Sequence, residues 1–183
     1  MNGSNDLKIM EESLYGWLGE TRERTRTRDY SSGSDDYTGY GMAHKTAITR
    51  KGASAPVKWL IAKGLLVGRV LDHGCGKGDI CKFTDIPNAE QYDPIWHPRR
   101  PQGVFDTIYS GFVLNTMPEA ERGRVINDIK RYLAPGGTAY IAVRRDVKRE
   151  GITSTGSEQY NVILPFSKLV EQSGKFAIYV MRG

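Results

Sequence analysis

Asp72, Gly74, Gly76 and Gly78 occupy every second position of the stretch Val70-Leu71-Asp72-His73-Gly74-Cys75-Gly76-Lys77-Gly78-Asp79. A short apolar run ends there in a carboxylate, and glycines then let the chain turn sharply and pass close beneath a ligand. The chemistry such a loop offers is to hold a cofactor against the main chain. Two better-known glycine loops do not fit. The dinucleotide fingerprint is G-x-G-x-x-G with an acid roughly 20 positions later, whereas the third glycine here arrives one position early. The phosphate loop requires Gly-Lys-Ser/Thr at its end, and Gly78 is followed by Asp79. A plain glycine-rich turn in a Rossmann-like sheet is the remaining alternative.

The neighbouring segments supply more candidates. Ala89-Glu90-Gln91-Tyr92-Asp93-Pro94 reads as a second strand ending in a carboxylate. In Rossmann-like folds an acid at this place accepts hydrogen bonds from ribose hydroxyls. Pro94 stops the strand, and a turn-capping aspartate before proline is the competing reading. Val104 to Tyr109 alternates into a third apolar strand and leads to Ser110-Gly111-Phe112-Val113-Leu114-Asn115. Pro118 to Leu133 is helical by pattern, with Glu119 and Glu121 near its start, Val125, Ile126, Ile129 and Leu133 at three- and four-residue steps, and Lys130 and Arg131 near its end. Ala134-Pro135-Gly136-Gly137 is expected to end that helix and turn the chain into the strand Thr138 to Val143.

Taken in this order, from about Leu66 to Val143, these elements resemble the class I S-adenosylmethionine-dependent methyltransferases. The resemblance implies an α/β, Rossmann-like class I methyltransferase fold, a compact sheet with flanking helices. It implies S-adenosyl-L-methionine as cofactor, held by Asp72, Gly74, Cys75, Gly76, Gly78, Asp79 and Asp93, with Ser110 and Phe112 lining the adenine and methionine side. Asn115 takes the place where many relatives carry a polar residue facing the substrate. His44 to Arg50, Ser54-Ala55-Pro56, Tyr92-Asp93-Pro94 and Val113-Leu114-Asn115 with Pro118-Glu119 and Glu121-Arg122 are similar to a bacterial and phage group of DNA-phosphorothioation-associated methyltransferases. This chain departs from that group in being short.

Around this core, residues 44–183 are read as one compact domain and residues 1–43 as an N-terminal helix followed by a flexible linker or lid. Leu7, Ile9, Met10, Leu14, Trp17 and Leu18 recur at helical steps. Thr21 to Tyr40 is polar, with arginines and tyrosines interleaved, a composition that fits a solvated linker, a lid, or a binder of single-stranded nucleic acid. Lys51 to Leu65 is helical, with Val57, Leu60 and Ile61 on one face, Pro56 in the first turn and Ser54 near the cap. The chain ends in an expected helix, Phe166 to Gln172, and a strand, Phe176 to Met181. Five strands can be counted.

At 183 residues the chain can bury a core without disulfides or structural metal. Its two cysteines, Cys75 and Cys81, sit at the glycine turn and imply reduced thiols in a cytoplasm rather than a disulfide framework. Paired metal-ligand spacing is missing, so no metal is expected. No apolar run approaches the roughly 18 residues that span a bilayer, and no leader pattern is read, so a soluble protein without membrane contact is expected. Oligomeric state is not fixed by any of this. Residues 1–43 carry five Lys/Arg against eight Asp/Glu, so the overall charge of +5 becomes +8 on residues 44–183. Arg99, Arg100, Arg144, Arg145, Lys148 and Arg149 follow strands expected to end at the active edge, where Arg144 and Arg145 would meet substrate. Lys45, Arg50 and Lys51 lie on a segment expected to fold over the pocket. This favours an anionic acceptor, nucleic acid among them, against the alternative of an ordinary basic surface.

Two nucleic-acid chemistries are disfavoured. Exocyclic amino methylation uses an Asn/Asp-Pro-Pro-aromatic motif, which Ser110 to Asn115 does not contain. Carbon-5 methylation needs a nucleophilic cysteine in a catalytic loop, and these cysteines lie at the cofactor turn. No catalytic base can be assigned; Asn115, His97 and Tyr109 are candidates by position. Three readings stay open: a methyltransferase on an anionic acceptor, one on a small metabolite or protein, and a cofactor-binding accessory or anti-restriction module without catalysis.

Overall fold

The computed structural model describes residues 43–154, 156–165 and 167–183. Contacts divide the chain into units of residues 1–36 and 37–183, and the described residues all belong to the second. The helix expected over Asp6 to Leu18 and the linker expected over Thr21 to Tyr40 lie outside the described residues.

Strand β1, Val70–His73, is buried along its whole length, as a parallel strand covered on both faces must be. It lies between β2, Ala89–Tyr92, and β3, Phe105–Gly111, and runs parallel to both. Beyond β3 come β4, Leu133–Arg144, parallel to it, and then the antiparallel pair β8, Phe176–Arg182, and β7, Lys168–Gln172. The six-stranded order is β2-β1-β3-β4-β8-β7, and β5, Gly151–Ile152, forms a separate ribbon with β6, Glu158–Gln159. This is the α/β, Rossmann-like sheet with flanking helices that the sequence implies.

Alternation along the strands divides the core between two faces. Helix α1, Ala55–Ala62, starts at Ser54, whose hydroxyl accepts from the Val57 amide at 3.5 Å, with Pro56 in the first turn. Its Val57 and Leu60 pack with Val70, Tyr109, Tyr140 and Ile178. Ile61, expected on the same face, is 45% exposed because it falls a quarter-turn past Leu60. Helix α2, Ile80–Phe83, is a single turn after the glycine loop. On the other face α3, Glu119–Tyr132, buries Val125, Ile126, Ile129 and Tyr132 against Leu71, Ile108, Ile141 and Val143.

Two expectations are corrected. Residues 168–172 form strand β7, not the second half of a helix; Phe166 lies outside the described residues. Ser173 closes a tight hairpin there, its amide donating to the Phe176 carbonyl at 2.8 Å while its hydroxyl accepts from the Lys175 and Phe176 amides. The hairpin pairs Leu169 with Tyr179, so β8 gains a ladder partner that outweighs the segment's helical spacing. Pro135-Gly136-Gly137 is also not a separate turn between helix and strand. Helix α3 runs straight into β4, and the register jumps from Phe105 opposite Leu133 to Thr107 opposite Thr138, so the segment bulges within the strand. The main sheet therefore has six strands where five were countable.

Ile129 is fully buried between α3 and the sheet. Ile129→Ala should lower the unfolding free energy by about 2–5 kcal/mol. Ile152→Ala, at a side chain 77% exposed, should change it by less than about 0.5 kcal/mol. Urea titrations of the two variants would show whether the core lies where the packing puts it.

Candidate functional site

From β1 the chain goes to β2 on one side and then to β3 on the other, so the sheet order reverses at β1. The strand ends diverge at such a point and leave a crevice. A cavity of about 560 Å³ opens there, along the ends of β2, β1, β3 and β4 and the β7–β8 turn.

The glycine loop forms its floor. The Gly74 and Cys75 amides donate to the Tyr92 carbonyl at 2.8 and 3.1 Å, carrying the β1–β2 pairing past the strand ends. Gly74 has φ +70°, and a Cβ there would collide with Val113. The next turn is held by Asp93: its Oδ2 accepts from the Gly76 amide at 2.9 Å, and its Oδ1 from the Ile95 and Trp96 amides at 3.0 and 2.9 Å. A carboxylate has about four acceptor positions, so one remains, on Oδ2. Opposite, Thr46, Ala47, Ile48 and Arg50 line the cavity as a strap. A Cβ on Gly76 would come within 3.2 Å of Ala47, so glycine is what lets strap and loop approach.

Of the residues singled out from sequence, Arg50, Gly74, Cys75, Gly76, Asp93, Phe112 and Arg144 line this cavity, whereas Lys45 and Lys51 do not. Phe112 does so from φ +65°, a left-handed conformation that costs a side-chain-bearing residue roughly 1–2 kcal/mol. Its amide is held by the Ala142 carbonyl at 2.7 Å.

The others lie elsewhere. Asp72 is 1% exposed behind the loop, its Oδ2 accepting from the Ile80 amide at 3.0 Å. Asp79 accepts from the Ser54 amide at 2.9 Å and faces Arg50 at 3.7 Å. Gly78 and Arg145 are outside the cavity lining, and the Ser110 hydroxyl is buried on the sheet without a partner among the described residues. Asn115 is fully buried: its amide nitrogen donates to the Tyr160 and Arg144 carbonyls, and its oxygen accepts from the Arg144 amide at 2.7 Å. Instead of facing the cavity, it ties the end of β4 to the segment around Tyr160. Arg144 and Gln159, both cavity residues, extend from the strands so joined.

None of the three candidate bases lines the cavity. His97 is engaged by the Gln91 amide at 3.0 Å. Tyr109 is buried beside the Ser54 hydroxyl, and burial first of all pushes its phenol up. Burial, then the Asp72 and Asp93 charges, likewise raise the Cys75 thiol, leaving it a poor nucleophile. Both cysteines are free, with Cys81 pushed up to about 11 mainly by burial.

Sequence reasoning missed His73, Val113, Met117 and Val125 as cavity residues. His73 Nε2 donates to the Asp128 carboxylate on α3 across 3.0 Å. Burial works to raise the Asp128 carboxyl, but its bond to His73, together with the His73, Arg131 and Arg100 charges, outweighs burial and holds it below its ordinary range. Val125 read as core in a helical pattern, while Val113 and Met117 lie in the segment between the third strand and that helix; only the crevice at the strand ends distinguishes the three.

No protein-family model and no curated protein sequence matches the chain. Among solved structures, similarity is found to an S-adenosylmethionine-dependent methyltransferase from Mesorhizobium loti, at 14% identity and TM-score 0.47, over 71% of this chain and 98% of that one. The N-methyltransferase NodS from Bradyrhizobium japonicum is similar at 17% identity and TM-score 0.44, over 81% and 98%. The magnesium protoporphyrin IX methyltransferase ChlM from Synechocystis, solved with bound S-adenosylhomocysteine (SAH), is similar at 13% identity and TM-score 0.40, over 96% of each chain.

Two stability measurements probe the loop. Gly74→Ala should cost clearly more than Gly64→Ala: both positions have positive φ, about 1–2 kcal/mol for alanine, but only Gly74 also has a neighbour to collide with. Equal losses in urea would remove the Val113 contact from the account. Burial, with repulsion from Asp79, raises the Asp72 carboxyl to about 7 against the offset from the Ile80 amide. A carboxyl raised on folding contributes stability below its unfolded value near 4, and loses it as pH rises through about 7. Relative to Asp72→Asn, the wild type should therefore lose stability between pH 4 and pH 8. A difference that stays flat over that range would exclude the titration.

Proposed function

We propose that this protein is an S-adenosylmethionine-dependent methyltransferase whose cofactor occupies the cavity at the strand ends. The observation that carries the reading is the joining of the glycine loop to the Asp93 carboxylate in one cavity, with a single acceptor position left on Oδ2. A ribose hydroxyl is a donor suited to that position. The loop's lack of side chains suits close approach of a ligand, and about 560 Å³ lies within the usual range for small-molecule sites. Gly74, Cys75 and Gly76 would form the floor, with Phe112 and Val113 excluding water from above β3. The three neighbours reported above carry methyltransferase names, and one holds SAH; they add nothing on the acceptor.

Bound there, the cofactor would supply a methyl group on a sulfonium, open to in-line displacement. The chain's part is to hold an acceptor close and aligned, an effect able to supply much of the rate. Arg144, Asp146, Gln159 and Lys175 line the end of the cavity away from Asp93. Arg144 is joined to Asp146 at 2.8 Å, so charge inside that end is partly compensated. Arg99, Arg145, Lys148 and Arg149 are exposed after β2 and β4, on the same edge. This arrangement favours an anionic acceptor that lies across the edge and sends one group inward, nucleic acid among the candidates. The narrower likeness to the DNA-phosphorothioation-associated group rests on its residues alone and only puts DNA first among acceptors to try. A second reading, cofactor binding without catalysis, is favoured by one observation: none of the candidate bases lines the cavity.

Calorimetry with S-adenosylmethionine and SAH should give saturable binding. Asp93→Ala should weaken it at least tenfold and also lower the thermal transition, since three amides lose their acceptor; unchanged affinity would exclude Asp93 from the site. With methyl-labelled cofactor and pools of DNA, RNA, protein and metabolites, label should enter nucleic acid. Label confined to small molecules would defeat the acceptor assignment, and binding without transfer to any pool would favour the non-catalytic reading.

A further inference from the structure

Trp96 follows the end of β2, at one lip of the cavity. It is 42% exposed, and its neighbour Ile95, which lines the cavity, is 41% exposed. The position is nonetheless fixed. Asp93 Oδ1 accepts from the Ile95 and Trp96 amides at 3.0 and 2.9 Å, so the backbone beneath the ring is tied to the carboxylate that closes the glycine loop. Lys77, a cavity residue from that loop, sets its ammonium 4.6 Å from the ring centroid.

A tryptophan held this way is only partly used by the fold. Its indole N–H has no acceptor among the described residues, and much of a large aromatic surface stays in water. Charge around it is one-sided. Lys77 and the exposed Arg99, three residues after Trp96, have no carboxylate partner among the described residues. Asp93, the acid that holds this turn, is committed to three amides. A π-face backed by cations suits a flat ring carried on an anionic chain, which is what a nucleobase on its phosphates is. In a duplex the base faces are already stacked on one another, so only an unpaired base offers such a face.

Resting on the nucleic-acid reading of the acceptor above, we propose that Trp96 and Lys77 form a stacking platform for single-stranded nucleic acid at the lip of the cavity. Lys77 holds one face of the ring and an unpaired base takes the other, while Arg99 meets a neighbouring phosphate. The strand then crosses the crevice toward Arg144 and Lys175 at the opposite lip. From β2 to β4 is three strand spacings, about 14 Å. About four nucleotides span that distance at the stacked rise of about 3.4 Å. One base is thus held on the platform while another, a few positions along, enters the cavity.

The test measures fluorescence anisotropy of a labelled oligothymidine and of a DNA duplex of equal length, each at several salt concentrations. The wild type should bind the single strand more tightly than the duplex. Trp96→Ala should weaken single-strand binding about five- to a hundredfold, the range of one stacked base, and leave its salt dependence unchanged. Trp96→Phe should keep part of the affinity. Lys77→Met should instead reduce the slope of log affinity against log salt by about 0.7, the share of one phosphate contact. The side chains are at the surface, so the thermal transitions of these variants should stay close to that of the wild type. Three outcomes overturn the proposal: single-strand affinity unchanged in Trp96→Ala, duplex bound as tightly as the single strand, or self-association of the chain that Trp96→Ala abolishes, which would make this corner an interface between copies. If the single strand binds and only the Trp96 effect is missing, the acceptor reading stands without the platform. If neither oligonucleotide binds, the nucleic-acid reading fails and the platform falls with it, while the cofactor site is still judged by calorimetry.

Discussion

The hydrogen bond from the Gly76 amide to Asp93 Oδ2, 2.9 Å long, joins the end of β2 to the loop that leaves β1. Much else at the cavity follows from it. Without that bond the loop would have a free amide facing a crevice, and the three glycines would let it adopt many conformations. With it, Asp93 draws three amides from two segments, Gly76 on one side and Ile95 and Trp96 on the other, into a single rigid corner. The Gly74 and Cys75 amides, closed onto the Tyr92 carbonyl, add a second fastening. A ligand would then meet a preformed surface, and little ordering entropy would remain to oppose its binding.

The same economy explains where the other acids went. Asp72 and Asp79 flank the loop in sequence, yet both face away from the cavity and satisfy buried amides, at Ile80 and Ser54. Buried amides cost free energy when unpaired, and a loop with few side chains has few other means of satisfying them. Asp72 bears a further cost, since burial holds its carboxyl up near 7. Asn115 serves in the same way at the other end, where its amide replaces missing ladder bonds between the end of β4 and Tyr160. Residues that look available for chemistry on polarity alone are thus committed to backbone.

Backbone strain concentrates beside this corner. Phe112 sits at φ +65° between β3 and the short 3-10 turn Leu114–Thr116. The Ala142 carbonyl holds its amide there, and Leu114 is anchored in the core on α3's face. The rigid sheet therefore absorbs a local penalty and in return projects Phe112 and Val113 over the cavity.

Local pattern determined the elements whose signal is strong and short-range. The short strand Val70–His73, the helix opened by Ser54 and Pro56, and the long helix through Val125, Ile126 and Ile129 all stand where period and capping put them. So did the glycine turn and the carboxylate at the end of the second strand, because glycine and proline constrain the backbone without help from distant residues. Tertiary structure decided the rest. Residues 168–172 have helical spacing but form a strand, since an unpaired edge of β8 and the Ser173 hairpin outweigh a weak local preference. Which polar side chains reach the cavity was decided by where amides needed partners, a property of the assembled sheet rather than of any one segment. A segment folding over the pocket was expected around Lys45, Arg50 and Lys51; that Arg50 lines the cavity and the two lysines do not was decided by contacts between positions far apart in sequence, which periodicity within a single segment cannot encode.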